Sequence, residues 1–265
     1  MRTAVIPAAG MGTRFLPATL ATPKELLPIY DTPALQFGID EAIQAGIERI
    51  VVVTSRDKPS IEAYIAAAST PKVEVIVVYQ DSPRGLGHAI WCARDAVDGE
   101  PFAVLLPDEI MGDASLLTAL VKLYERTNKS SIGLKRVAMS EVVHYGNVSV
   151  AALSNDNVVS ISQVIEKPSP SEVVSDLVII GRYVLAPNVF DHLAVLTAGA
   201  NGEMQLTDTL QVLAQDDSLV GIVSDILRYD TGTPMGLLRA AIDISLTRND
   251  VGPQLQSWLE AKFRK

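Results

Sequence analysis

The chain has 265 residues, 48% hydrophobic and 20% charged, enough to bury a sizeable core in one large α/β domain or two small ones. Its net charge of −9, from 22 basic and 31 acidic residues, argues against nonspecific binding to nucleic acid or an anionic membrane. The single cysteine, Cys92, excludes an intramolecular disulfide, and no apolar run approaches the roughly 20 residues of a membrane helix, so a cytoplasmic protein is expected. Any anionic substrate must therefore meet local positive charge or a divalent cation.

From the N-terminus, Thr3–Ile6, Ile50–Val53, Val73–Val78 and Phe102–Leu106 are short runs rich in Val and Ile with little alternation, as expected of strands buried on both faces. Helices are predicted between and after them at Ala34–Ala45, Pro59–Ala68, Leu86–Ala96 and Ser115–Thr127. This alternation predicts an α/β fold with a doubly wound, mostly parallel sheet. After about residue 130 the rhythm turns strand-rich, with strands at Ser131–Val137, Val148–Leu153, Val158–Ile165 and Leu177–Leu185 and a hairpin tip at Asn155–Asn157. Helices return at Pro187–Leu196, Gln205–Gln215 and Pro234–Asn249, and Pro253–Phe263 is amphipathic. Without repeats or linkers, residues 1–265 read as a single domain, with a first half over 1–130, a β-rich second half over 131–248 and a C-terminal helix over 249–265.

Three strand ends carry residues suited to phosphate chemistry. Pro7-Ala8-Ala9-Gly10-Met11-Gly12-Thr13-Arg14 follows the first strand; its glycines let backbone amides approach a ligand, and Arg14 and then Lys24 add charge. Phe15 stands where a dinucleotide fingerprint has its third glycine, and no Gly-Lys-Ser/Thr follows, so neither the Rossmann nor the P-loop pattern applies. In the second segment, Tyr79–Ala89, the Gln80 amide can read the imide edge of a pyrimidine and Gly85 lets a base lie on backbone, although a turn with a surface glutamine has the same composition. The third, Ala103–Asp108, delivers an aspartate to a strand's carboxyl end, where open α/β sheets bind ligands and where helix caps also occur. Asp230 before Thr231-Gly232 is its proposed companion; two carboxylates and phosphate oxygens make a hard shell for Mg²⁺.

Ala9-Gly10-x-Gly12-Thr13-Arg14 with Pro23-Lys24 resembles the signature of the sugar nucleotidyltransferase family, and Val5–Thr19 is especially similar to its bacterial UTP–glucose-1-phosphate uridylyltransferases. The resemblance implies a Rossmann-like nucleotidyltransferase fold with a β-rich sugar-binding lobe, and transfer of a uridylyl group from UTP to a sugar 1-phosphate, expected to be glucose 1-phosphate. By it, Ala8, Ala9, Gly10, Gly12, Thr13, Gln80 and Gly85 hold the nucleotide, and Asp108 and Asp230 carry Mg²⁺. Arg14, Lys24, Asp108 and Lys167 serve catalysis, with Lys167 pairing the sugar phosphate. Gly146, Glu166, Gly181, Tyr183 and Glu203 are implied for the sugar, from the Tyr145-Gly146, Glu166-Lys167-Pro168, Gly181-Arg182-Tyr183 and Gly202–Asp208 segments. His88 reads as positional, Trp91 and Cys92 as core, and His144 and His192 have no metal-site spacing.

Two departures accompany the match. The family's uridylyltransferases carry a long insertion where only Ser69–Lys72 stands here, which bears on the homo-oligomer the family forms. Asp230-Thr231-Gly232-Thr233 resembles the thymidylyltransferase wording, which keeps dTTP or another sugar 1-phosphate as the alternative. A non-catalytic nucleotide-sugar sensor is the rival from another class.

Overall fold

The structure is a computed structural model and describes residues 1–68, 73–153, 157–195 and 202–264. In chain order it runs through β1 (Thr3–Pro7), the two-residue strands β2 (Pro28–Ile29) and β3 (Thr32–Pro33), α1 (Ala34–Gln44), β4 (Arg49–Thr54), α2 (Pro59–Ala68) and β5 (Glu74–Tyr79). Next come α3 (Leu86–Cys92), α4 (Arg94–Val97), β6 (Phe102–Leu105), β7 (Glu109–Met111), α5 (Ser115–Thr127) and β8 (Ser130–Arg136). The chain continues with β9 (Gly146–Leu153), β10 (Val158–Glu166), β11 (Leu177–Leu185), α6 (Val189–Val195), α7 (Leu206–Gln215) and β12 (Leu219–Val223). It closes with β13 (Arg228–Asp230), α8 (Pro234–Leu246) and α9 (Gly252–Phe263). The predicted helix at Leu86–Ala96 is divided at Ala93 into α3 and α4, and of the predicted hairpin tip only Asn157 lies within the described residues.

Among the described residues, nine strands form one sheet in the order β5-β4-β1-β6-β11-β8-β12-β10-β9. The first four are parallel, as the strand–helix alternation requires. Beyond β6 the expectation of a mostly parallel sheet gives way to a mixed one: β11 runs antiparallel to β6 and β8, and β10 antiparallel to β12 and β9. Connection length sets the β9–β10 pair. Only four residues separate β9 from β10, whereas a parallel crossover takes about a dozen or more. The strand-rich second half therefore extends the first half's sheet.

Both faces of the sheet are covered, and this explains the unbroken apolar runs. Along β1 and β4, Val5, Val51 and Val53 enter one cluster with Ile90 of α3, Phe190 of α6 and Leu210 of α7. Ala4, Ile6, Ile50 and Val52 enter the opposite cluster with Leu35 of α1, Ile61 of α2 and Leu117 of α5. Each fully buried Val, Leu or Ile contributes about 1.5–3 kcal/mol, so the apolar runs fix which residues face inward without naming the site. The carboxyl ends of β1 and β6 lie side by side in this frame, bringing the Gly10–Arg14 loop and Asp108 to one edge.

Candidate active site

Asp108 and Asp230 meet through a small ribbon outside the main sheet. β13 pairs antiparallel with β7, setting Asp230 opposite Glu109, and the backbone N–H and hydroxyl of Thr231 donate to the Asp108 carbonyl at 2.7 and 2.9 Å. A β-carbon on Gly232 would lie 3.1 Å from Asp230 Oδ1, 3.3 Å from Asp108 Oδ2 and 3.8 Å from Arg14 Nη1. Both carboxylates and the guanidinium thus surround one point that is open only because residue 232 has no side chain. Gly236 is needed for a related reason: a β-carbon there would fall 1.8 Å from the Asp230 carbonyl, so α8 starts directly on that residue's backbone.

Positive charge reaches this point from the loop after β1. Gly12 has φ +66°, and a β-carbon on it would press on Thr19 Cγ2 at 3.1 Å and Lys24 Cβ at 3.2 Å. The loop folds back onto Lys24, whose Nζ donates to Asp108 Oδ2 at 2.5 Å. Burial pulls the Lys24 ammonium down, but Asp108 and Glu25 outweigh it and hold the group above its ordinary value. Burial likewise pushes Asp108 up, and Lys24 more than offsets this, holding the carboxyl below the usual range. Behind the loop, Lys58 Nζ donates to the carbonyls of Ala8 at 2.8 Å and Gly10 at 2.5 Å and to Glu25 Oε2 at 2.9 Å. Lys58 escapes sequence reasoning because a lysine before a helix carries no signal until the loop is folded over it.

Two clefts open from Asp108. The first is lined by Gly10, Lys24, Gln80 and Gly85, with Leu86 and Leu106 as its apolar wall. Gln80 is buried, and its amide nitrogen donates to the Gly85 carbonyl at 3.1 Å and lies 2.9 Å from His88 Nδ1. His88, pulled below its ordinary value by burial and then by Arg84, acts here on Gln80. Gly85 has φ +99°, and a β-carbon on it would meet the Met204 carbonyl at 2.7 Å, so only glycine lets this turn pack on Met204 while lining the cleft.

The second cleft lies across Asp108 and Asp230 and is lined by Gly146, Glu166, Lys167, Gly181 and Tyr183 together with Arg14. Tyr183 is 5% exposed, and burial, then Glu166 and Glu109, push its phenol far up. Gly181, φ +66°, lets β11 bulge against Glu109, whose Cγ would stand 2.7 Å from a β-carbon there. Gln205 and Thr207, unassigned by motif, also line this cleft; the Thr207 hydroxyl is buried and without a hydrogen-bond partner among the described residues. Glu203, expected with the sugar residues, instead lines the first cleft beside Gly85, because the Gly85–Gly87 turn packs on Met204. Of the loop residues, Ala8 is buried, with its carbonyl taken by Lys58, and Thr13 is exposed outside both clefts.

The wall behind the site is made of buried ion pairs. Arg182 donates to both Glu41 oxygens, at 2.8 and 2.6 Å, and to the carbonyls of Gly181, Leu106 and Glu109. It is fully buried and ties α1 to the turn that bears Asp108. Arg228 donates twice to Glu109, which burial pushes up to about 7 against the pull of Arg228. Asp108 and Asp230 are the carboxylates that could hold a cation. Mg²⁺ characteristically takes one or two carboxylates and completes its shell with substrate phosphate and water, so this pair fits it. No group of three or more His, Cys, Asp or Glu side chains suited to a metal occurs among the described residues.

Residues 3–246, from the first strand to the last turn of α8, match the family model described as nucleotidyl transferase. The chain belongs to this family. Among its curated relatives, the UTP–glucose-1-phosphate uridylyltransferase YngB of Bacillus subtilis is 37% identical, over 100% of this chain and 96% of that protein. UTP–glucose-1-phosphate uridylyltransferase 1 of Staphylococcus saprophyticus is also 37% identical, over 98% of each. The alignment with YngB spans 287 positions, more than the 265 residues here, so that relative has positions without a counterpart in this chain. A UDP-glucose pyrophosphorylase complexed with UDP-glucose superposes with a TM-score of 0.88 at 34% identity, covering 94% of this chain and 100% of that one. The UTP-bound enzyme of Acinetobacter baumannii gives 0.87 at 32%, covering 98% of each. Among the described residues no helix is long and apolar enough to cross a membrane.

Proposed function

We propose that this member of the family transfers the uridylyl group of UTP to glucose 1-phosphate, giving UDP-glucose and pyrophosphate. The observation that carries the reading is the convergence of Asp108, Asp230, Arg14 and Lys24 at the junction of two clefts. One cleft offers an amide and glycine backbone suited to a pyrimidine base; the other offers carboxylate, phenol and hydroxyl groups suited to a sugar. The names of the full-length relatives supply the substrate pair.

On this reading the base lies in the first cleft on Gly85 with Gln80 at its imide edge, and the sugar lies in the second with Glu166 accepting from its hydroxyls. A phosphate oxygen of the sugar phosphate forms a bond to the α-phosphorus of UTP. The bond from that phosphorus to the bridging oxygen breaks, and its electron pair leaves with pyrophosphate. The attacking phosphate is already an anion, so no histidine or other general base is needed. The work of the chain is to align two anions and neutralise them. Lys167 approaches the sugar phosphate, while Arg14 and Lys24 meet charge on the leaving side. Asp108 and Asp230 would hold Mg²⁺, which when bound supplies Lewis-acid polarisation of the phosphoryl oxygens.

The test is pyrophosphate release over a grid of nucleoside triphosphates and sugar 1-phosphates, with and without Mg²⁺. Release that requires UTP, glucose 1-phosphate and Mg²⁺ is the expected result. Preference for dTTP or another sugar phosphate would overturn the substrate assignment and leave the chemistry. Binding of a nucleotide sugar without release for any pair would overturn the enzymatic reading.

A further inference from the structure

Tyr145, immediately before β9, touches both halves of the site. Its hydroxyl donates to Asp230 Oδ2 at 3.0 Å, and its carbonyl accepts from the Lys167 backbone N–H at 3.0 Å. Lys167 has φ +44°, a conformation that a side-chain-bearing residue seldom holds unaided, so this hydrogen bond helps to decide where its ammonium points. Asp230 is fixed at both oxygens, since the Gly232 N–H donates to Oδ1 at 3.0 Å. The carboxylate plane is thereby set with Oδ1 on the point it shares with Asp108 Oδ2.

The ring of Tyr145 is held in turn. The Arg228 guanidinium carbon lies 4.8 Å from its centroid, and Arg228 is clamped by the two hydrogen bonds it donates to Glu109. Glu109 is the partner that matters for charge. Arg228 Nη2 is 2.5 Å from Glu109 Oε1 but 3.7 Å from Asp230 Oδ2, so Glu109 takes most of the guanidinium's charge and Asp230 keeps its own for a cation.

We propose that Tyr145, braced by the Arg228–Glu109 pair, is a positioning residue that sets the Asp230 carboxylate for its divalent cation and couples it to Lys167 on the sugar-phosphate side. The inference rests on the nucleotidyl-transfer reading above. Partners one step behind a metal ligand typically change metal affinity or activity about 10- to 100-fold when removed.

The experiment compares the wild type with Tyr145→Phe, which keeps the ring and the carbonyl and removes only the hydroxyl. Mn²⁺ serves as the probe and is titrated by electron paramagnetic resonance with UTP absent and present, alongside steady-state kinetics and circular dichroism. Mn²⁺ affinity is expected to fall about tenfold and kcat by at least as much, with KM for UTP within about twofold and an unchanged spectrum. Glu109→Gln, which frees Arg228 to neutralise Asp230, is expected to weaken Mn²⁺ binding in the same direction. Unchanged Mn²⁺ affinity and kcat in an active enzyme, or a rise confined to KM for the sugar phosphate, would overturn the inference and leave the function standing. A wild type inactive with every substrate pair would overturn the function first.

Discussion

The wall behind Asp108 and the floor in front of it are both built from ion pairs, yet they are built differently. On the wall, Arg182–Glu41 is buried, bidentate and supplemented by three backbone carbonyls. On the floor, Lys24–Asp108 is a single contact between side chains 21% and 30% exposed, and Lys167 reaches Glu166 only at 3.4 Å. A buried pair with every donor satisfied makes a rigid frame, because breaking it leaves an uncompensated charge. A half-exposed pair holds its charges in place at little cost and can exchange partners when a phosphate arrives. The fully satisfied charge stands at the back, and the charge free to exchange partners stands where water reaches it.

The comparison can be broken from either side. The largest effect is expected on the floor: Asp108→Asn should bring pyrophosphate release below detection while the circular dichroism spectrum stays that of the wild type and the unfolding free energy falls by no more than about 1 kcal/mol. An active, metal-dependent Asp108→Asn enzyme would remove Asp108 from the centre. Next, Arg182→Met strikes the wall and leaves Glu41 buried and unpaired. It should cost about 3–5 kcal/mol of unfolding free energy, read by urea denaturation. A loss under about 1 kcal/mol would mean that the wall is not a frame.

The smallest effect is a pH dependence that sharpens the contrast. Asp108 is held below its unfolded value of about 3.9. Its stabilising contribution is therefore full above about pH 4 and fades as pH falls through the depressed folded value. The stability difference between wild type and Asp108→Asn should accordingly narrow only on the acid side of about pH 4. A difference that narrows instead between pH 5 and 7 would contradict the ionised Lys24–Asp108 pair.

Much of the site was legible because its chemistry is local in sequence. Gly10, Gly12 and Arg14 follow one strand, Gln80 and Gly85 another, and Asp108 a third, and parallel strands present their carboxyl ends at one edge. Helix α5 and strand β11 were also readable, since amphipathic spacing and a doubly buried run mark such elements without tertiary information. Lys58, Glu109 and Arg228 were not legible, and of Tyr145 only its segment was, not its contacts. Their partners are the loop carbonyls of Ala8 and Gly10 for Lys58, and one another together with Asp230 for the rest, groups that meet only after folding. Glu203 shows the converse: its motif was visible, but the contact of Met204 with Gly85 decided which cleft it faces.

By itself the sequence determined the glycine-rich loop after the first strand, the strand-end aspartates and the apolar runs of the core, because backbone freedom at glycine, charge and hydrophobicity act where the residues stand. The tertiary structure alone decided that the sheet turns mixed past β6, that Gly232 leaves the point between Asp108 and Asp230 open, and that Glu109 rather than Asp230 takes the charge of Arg228. Those outcomes depend on distances between segments far apart in the chain, and such distances exist only once the core has packed.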